Sequence, residues 1–254
     1  MSNPLLEKFS RNEPCRGAWL GLPTPFSARL LARLPLDWLM IDAEHAPVDA
    51  SSLALMVAAI AEARGPAPLV RIAQSSVENI KRALDSGAAG VLVPMVNTRA
   101  EAEQAVSWAK FPPQGTRSFG SSYAGLAFGQ SMPEYLKAAN RQTLLAVQIE
   151  SQAALENLDE IFTVDGIDMA FVGPVDLSVS LGLDPLPENP HPAFQEALGR
   201  IVEAAHRHHM PLGIYCSGGA AAGERIRQGF LFVNVISDIN ALLGGVRAAL
   251  EASQ

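Results

Sequence analysis

Residues 67–96 read APLVRIAQSSVENIKRALDSGAAGVLVPMV. Two short apolar runs, APLVRIA (67–73) and AGVLVPMV (89–96), flank an amphipathic stretch, VENIKRALDSG (77–87), that ends on a glycine. Nearly continuous apolar runs suit strands of a parallel sheet covered on both faces, and the amphipathic stretch suits the helix lying on it. Outward from this unit the alternation repeats. Further strands are expected at 17–23, 37–45, 143–150, 167–177, 211–216 and 230–237. Further helices are expected at 51–65, 98–110, 152–162, 193–209 and 222–229, with a last one over INALLGGVRAALEAS. Asp49 or Ser51 can cap the helix after the second strand, Thr98 can cap the one after the fourth, and Gly65, Gly87 and Gly229 close others.

Eight strands alternating with helices in 254 residues predict an α/β fold, a (β/α)8 or TIM barrel. A doubly wound open sheet is the alternative, but the turn after the first strand, GLPTPFS, lacks the glycine fingerprint of that fold. No linker, repeat or low-complexity segment divides the chain, so one domain over 1–254 is expected. The long irregular stretch 111–133, placed after the fourth strand, is expected to be a lid or an interface element.

Composition narrows the function. Hydrophobic residues make up 48% and charged residues 18%, which fits a large buried core or subunit interface. Lys and Arg number 19 against 26 Asp and Glu, a net charge of -7 with no basic cluster for nucleic acid. Cys15 and Cys216 are too few for a disulfide framework and suit a reducing compartment. With no apolar signal core and no membrane-length apolar run, a soluble cytoplasmic protein is expected.

In a parallel barrel, chemistry collects where the strands end. Those ends carry Asp42, Glu44 and His45 (second strand), Arg71 (third), Pro94 and Asn97 (fourth), and Gln148 and Glu150 (fifth). The sixth ends in Gly173-Pro174-Val175-Asp176, the seventh in Cys216-Ser217, and the eighth in Asn234, Ser237 and Asp238. Gln148 and Glu150 are two apart and face the same way on a strand. With Asp176 they form an oxygen-rich set suited to a hard divalent cation. Singly, Glu150 reads as a helix N-terminal charge and Asp176 as a turn residue; together, beside Gln148, they favour a metal. No zinc-type histidine or cysteine spacing occurs.

His45 is the histidine at a strand end and could serve as general base, with a capping or core role among Asp42, Glu44 and Asp49 as the alternative. Arg71 could grip a carboxylate or hold an oxyanion, or it could be the buried partner of Asp42 or Glu44. Lys8, Lys81, Lys110 and Lys137 all lie away from strand ends, leaving no Schiff-base nucleophile. No G-x-S-x-G elbow is present. YCSGGAAAG after the seventh strand reads as an anion seat or a plain turn. A metal, a base and an arginine on one rim suit chemistry that stabilises an enolate.

IDAEHAPVD (41–49), LVRI (69–72), LDSGAAGVLVPMV (84–96), FPPQGTRSFG (111–120), QIES (148–151) and FVGPVDLSVSLG (171–182) resemble the HpcH/HpaI family of class II pyruvate aldolases. The resemblance implies a barrel of phosphoenolpyruvate/pyruvate-domain type, a final helix exchanged between subunits, and a homo-oligomer, trimer or hexamer. It implies divalent-metal-dependent (Mg2+, Mn2+ or Co2+) cleavage of a 4-hydroxy-2-oxo acid to pyruvate and an aldehyde. The substrates it suggests are 4-hydroxy-2-oxoheptanedioate, giving succinate semialdehyde, or a 2-keto-3-deoxy sugar acid. By motif, Glu150 and Asp176 would hold the metal, with Gln148, Gly173, Val175, Asp176 and Asp42 lining the 2-oxo acid. His45 would be the acid/base and Arg71 would stabilise the enolate oxygen. Asp85 would raise the basicity of the histidine, yet the strand order puts it at the far end of its element, so it would act from another subunit. Ser118 stands where the family commonly has glycine and would alter loop shape or aldehyde preference. Arg117 would meet the acceptor's distal group or lie on the surface. The alternatives are a barrel lyase or mutase acting on phosphoenolpyruvate or an acyl-CoA, and a catalytically silent binding barrel.

Overall fold

The computed structural model describes residues 3–120 and 122–254. Each apolar run becomes a strand: β1 (Cys15–Leu20), β2 (Trp38–Asp42), β3 (Ala67–Arg71), β4 (Gly90–Val93), β5 (Leu144–Ile149), β6 (Met169–Val172), β7 (Leu212–Ile214) and β8 (Phe232–Ser237). Neighbours pair parallel and β8 returns to β1, which closes the barrel. The first helices are α1 (Pro4–Ser10), α2 (Pro25–Leu31), α3 (Ala50–Glu62), α4 (Val77–Asp85) and α5 (Arg99–Ala109). Next come α6 (Ser122–Ala127), α7 (Met132–Gln142), α8 (Gln152–Glu156), α9 (Leu158–Phe162) and α10 (Pro174–Ser180). The last are α11 (Pro192–His208), α12 (Gly219–Arg227) and α13 (Asp238–Ala252).

Period-two alternation sorts the strand residues. Leu39, Ile41, Val70, Leu145, Val147, Ala170 and Val172 face outward under the helices. Trp38, Met40, Ala67, Leu69, Leu144, Ala146, Met169 and Phe171 face into the barrel. Counting on by two along the inward sets gives Asp42, Arg71, Gln148, Glu150 and Gly173. The barrel's next layer, at the C-terminal rim, is therefore polar.

Below that layer the barrel is filled. Trp38 stacks on Phe232 with ring centroids 4.0 Å apart, and Trp19 meets Trp38 edge-on at 6.4 Å. Gly17 makes this possible, since a Cβ there would lie 2.0 Å from the Trp38 ring. Each such fully buried side chain contributes about 1.5–3 kcal/mol. At the N-terminal end the Asn3 amide donates to the Ala89 and Gln142 carbonyls at 3.0 and 2.9 Å, seating α1 with Leu5 buried beneath it. Capping boxes at Asp49–Ser52 and Thr98–Glu101 fix where α3 and α5 begin, and so tether the rim loops after β2 and β4.

Several expectations are corrected. The run 167–177 is a strand only to Val172, because Pro174 at the first helical turn starts α10. The stretch 152–162 breaks at Asn157 into α8 and α9. The segment 111–133 follows α5 and contains α6. It is pinned at the end opposite the rim, with the Thr116 amide on the Ser107 carbonyl at 2.6 Å and the Arg117 amide on the Lys110 carbonyl at 3.0 Å, so it is no lid over this chain's own rim. Helix α13 buries only Asp238 and leaves Ile239, Leu242, Leu243, Val246 and Leu250 exposed.

Candidate active site

Asp42 and Arg71 are register partners at the ends of β2 and β3. Arg71 Nε donates to Asp42 Oδ1 at 3.0 Å and Nη2 to Oδ2 at 2.6 Å, a two-pronged pairing. Trp19 Nε1 donates to Oδ2 at 3.2 Å, and the amides of Glu44 and His45 donate to Oδ1 at 3.1 and 3.2 Å. Burial works to raise the Asp42 carboxyl, but the hydrogen bonds and charge of Arg71 prevail and hold it below the usual carboxylate range. Asp42 is thus buried behind Arg71 with both oxygens engaged, and the ion pair left open by the sequence is present. Arg71 Nη1 also reaches Glu44 Oε2 at 3.1 Å, and the guanidinium rests 5.0 Å from the centre of the Trp19 ring. A planar cation held on three sides is preorganised. The His45 side chain is 64% exposed over the rim, with Nε2 3.8 Å from Glu44 Oε2.

Across the barrel mouth, Glu150 is buried with both oxygens held. Oε1 accepts the Met95 amide at 2.8 Å, and Oε2 accepts the Gln148 side-chain amide. Burial pushes the Glu150 carboxyl up to about 7; the Met95 amide opposes this, while the charges of Asp176 and Glu44 add to it. Burial likewise raises Glu44, against the pull of Arg71 and His45. Asp176 is exposed in the first turn of α10, and Val175 is half-buried beside it. Gly173 lets β6 approach: a Cβ there would lie 2.4 Å from Glu150 Oε2 and 2.7 Å from Gln148 Nε2. Gln148 Oε1 is buried without a hydrogen-bond partner.

The residues present fit a hard divalent cation. Glu150 and Asp176 feel each other's charge, and burial makes the ionised form of Glu150 costly. The Gln148 oxygen is an acceptor with nothing to accept. A cation would relieve all three. Among the described residues no cluster of three histidine, cysteine or acidic side chains is placed to hold a metal ion by itself.

Asp85 is not brought to His45 within this chain. Helix α4 runs back from β3 to the start of β4, so its last residue lies at the N-terminal end of the barrel, where Asp85 Oδ1 pairs with Arg117 Nη2 at 2.9 Å. Arg117 is no surface group: its side chain is 1% exposed, donates to the Tyr135 hydroxyl at 3.1 Å and lies over the Phe111 ring at 4.5 Å. Tyr215, just past β7, packs edge-on against Trp19, and burial raises its hydroxyl against the pull of Arg71. His191 caps α11, and His208 pairs with Asp159 at 2.7 Å. Burial pushes the Cys216 thiol up to about 12. Lys8 binds Asp37 at 2.6 Å, Lys110 donates to the Asn140 and Thr143 carbonyls, and Lys81 and Lys137 lie on α4 and α7.

Trp19, Met95 and Asn97 are site neighbours to which the sequence reading assigns no role, whereas Glu44, one of the two partners open to Arg71, does pair with it. Trp19 looks like any core aromatic in GAWLGLP. Met95 acts through its backbone, which no residue type discloses. Asn97 is legible only as a strand-end polar group.

A closed parallel barrel with a buried acid, a fixed cation and a histidine gathered at its C-terminal rim defines an enzyme of the (β/α)8 class. The chain belongs to the HpcH/HpaI aldolase/citrate lyase family, whose profile matches residues 16–243. It is similar to a hydroxypyruvate/pyruvate aldolase of Rhizorhabdus wittichii, 37% identical with 95% of each chain covered. It is also similar to a 4-hydroxy-2-oxo-heptane-1,7-dioate aldolase of Salmonella arizonae, 38% identical over 98% of this chain and 93% of that one. The crystal structure of an HpcH/HpaI aldolase/citrate lyase family protein from Burkholderia cenocepacia superposes with a TM-score of 0.91, 34% identity and 99% coverage of both chains. The protein is an enzyme of the aldolase and lyase type.

Proposed function

We propose that this chain is a divalent-metal-dependent pyruvate aldolase that reversibly cleaves a 4-hydroxy-2-oxo acid to pyruvate and an aldehyde. The observation that carries this reading is the Gln148–Glu150 pair beneath Gly173, with Asp176 close by, an unpartnered amide oxygen, and Arg71 on the same rim. Glu150 and Asp176 would hold the cation, which when bound supplies Lewis-acid and template chemistry toward a 2-oxo acid. Gln148 and the backbone at Gly173 and Val175 orient the carboxylate end of that acid. Asp42 acts behind Arg71 as its anchor. In the cleavage direction His45 takes the proton of the 4-hydroxyl, C4 becomes the aldehyde carbonyl, and the C3–C4 electron pair passes into the enolate. Arg71 steadies the enolate oxygen, and the proton that His45 took from the 4-hydroxyl is returned to C3 to complete pyruvate. Asp85 would assist His45 only across a subunit boundary, since in its own chain it pairs with Arg117.

The uncovered apolar face of α13 supports a homo-oligomer, trimer or hexamer, with that helix exchanged between neighbours. The whole chain, 1–254, then works as one barrel unit in the cytoplasm, serving aromatic or sugar acid catabolism. No helix among the described residues is long and apolar enough to cross a membrane. A panel of aldehydes incubated with pyruvate tests the reading, each run with Mg2+, Mn2+ or Co2+ and again with chelator. Metal-dependent carbon–carbon bond formation is expected. A requirement for phosphoenolpyruvate or an acyl-CoA in place of free pyruvate would refute it.

A further inference from the structure

Among the described residues, Asn12, Arg64, Met95 and His209 adopt positive φ without being glycine. Asn12, Arg64 and His209 each end a helix, at α1, α3 and α11, where a left-handed residue is ordinary. Met95 does not. It follows β4, at φ 55, and its side chain is half exposed, so packing of that side chain does not demand the conformation. In this turn the residue's amide donates to Glu150 Oε1 at 2.8 Å, while the chain beyond it turns away in the left-handed conformation.

A second set of bonds holds that turn. Asn97 Nδ2 donates to the Met95 carbonyl at 3.0 Å, and the Ser151 hydroxyl donates to Asn97 Oδ1. Asn157 Nδ2 donates to the Asn97 carbonyl at 2.8 Å. Bonds therefore run from Glu150 to Met95 to Asn97 and return to Ser151, the residue that follows Glu150. The end of β4 is bolted to the end of β5 around one carboxylate. With Gln148 on the other oxygen, each Glu150 oxygen carries one donor and keeps lone-pair capacity for an incoming ligand.

We propose that Met95 is a positioning residue, whose left-handed backbone, locked by Asn97, fixes Glu150 in the orientation that receives the cation. The inference rests on the metal reading given above. It makes the backbone at residue 95, and not its side chain, the determinant of metal affinity. Glycine adopts positive φ freely, whereas a β-branched residue strongly resists it.

The test uses full-length protein stripped with chelator and titrated with Mn2+, the free ion being followed by electron paramagnetic resonance, with melting temperatures recorded in parallel. Met95→Gly should stay within about twofold of wild type, and Met95→Val should bind about tenfold more weakly, the usual scale for losing an outer-shell support of a metal ligand. Asn97→Ala, which leaves residue 95 intact, should weaken binding by about three- to tenfold. Wild-type Mn2+ affinity in Met95→Val would overturn the proposal, and so would equal weakening in Met95→Gly. Should Met95→Val fail to fold, Asn97→Ala decides, and unchanged affinity there overturns it. Glu150→Gln separates the two levels: if wild type binds no Mn2+, or Glu150→Gln binds it equally well, the metal reading itself has failed.

Discussion

Protons and metal ions should compete for Glu150 in a pH range where an ordinary glutamate shows no competition. Burial, with the charges of Asp176 and Glu44, places its carboxyl at about 7 in the metal-free protein, against an ordinary value of 4.5. A cation needs the ionised form. Affinity should therefore reach a plateau above about pH 7 and fall about tenfold per pH unit below it, to about 100-fold weaker near pH 5. A carboxyl at its ordinary value would lose only about 1.3-fold at that pH. The sign for stability follows from the same shift. The folded-state value is raised, so the cost of ionised Glu150 is absent below about pH 4.5, grows through the window up to 7, and reaches about 3 kcal/mol above it. Metal-free Glu150→Gln should thus melt higher than wild type at neutral pH, and the gain should vanish in acid. Mn2+ titration of chelator-treated protein across this range checks the first effect, and melting curves check the second. An affinity flat from about pH 5 to 8, or one that breaks only near 4.5, would refute the account of Glu150 as a buried, acid-flanked carboxyl.

Arg71→Lys keeps the charge but loses the two-pronged bond to Asp42 and the stack on Trp19, so kcat/KM should fall by about 100-fold or more in a pyruvate-release assay. Gly173→Ala puts a methyl 2.4 Å from Glu150 Oε2; the protein should fold at a cost of about 1–3 kcal/mol while its Mn2+ affinity collapses. Asp238 accepts the amides of Gly21, Leu22 and Ile239 and so ties the end of β1 to the start of α13. Asp238→Ala should cost about 1–3 kcal/mol in thermal unfolding and leave the metal affinity of the folded fraction unchanged.

The strands were legible because a parallel barrel buries both faces of each one, which leaves uninterrupted apolar runs such as AGVLVPMV. Asp42, Arg71, Gln148 and Glu150 were legible for the converse reason: polar groups stand out in runs that otherwise bury everything. The connections were harder to read. Helices α2, α6 and α10 are short and carry no long periodic stripe, so PTPFSARLL and GPVDLSVS pass for a turn and a strand end. The place of 111–133 follows from α5 returning to the start of the barrel, the same reasoning that puts Asp85 far from the rim. Met95 was illegible in principle, since a backbone amide and a φ angle leave no trace in a residue type. Of the two roles open to Arg117 the surface one fails, because Asp85, Phe111 and Tyr135 enclose its side chain, a burial that no neighbouring residue type announces.

The central claim is metal-dependent aldol chemistry at Glu150, with no lysine nucleophile. Pyruvate release from a 4-hydroxy-2-oxo acid, coupled to lactate dehydrogenase and run with metal, with chelator and with Glu150→Gln, tests it most directly. Release should occur with metal alone, and borohydride added with pyruvate should leave no mark on the protein. Release that survives both chelator and Glu150→Gln, together with a borohydride-trapped lysine adduct, would contradict it.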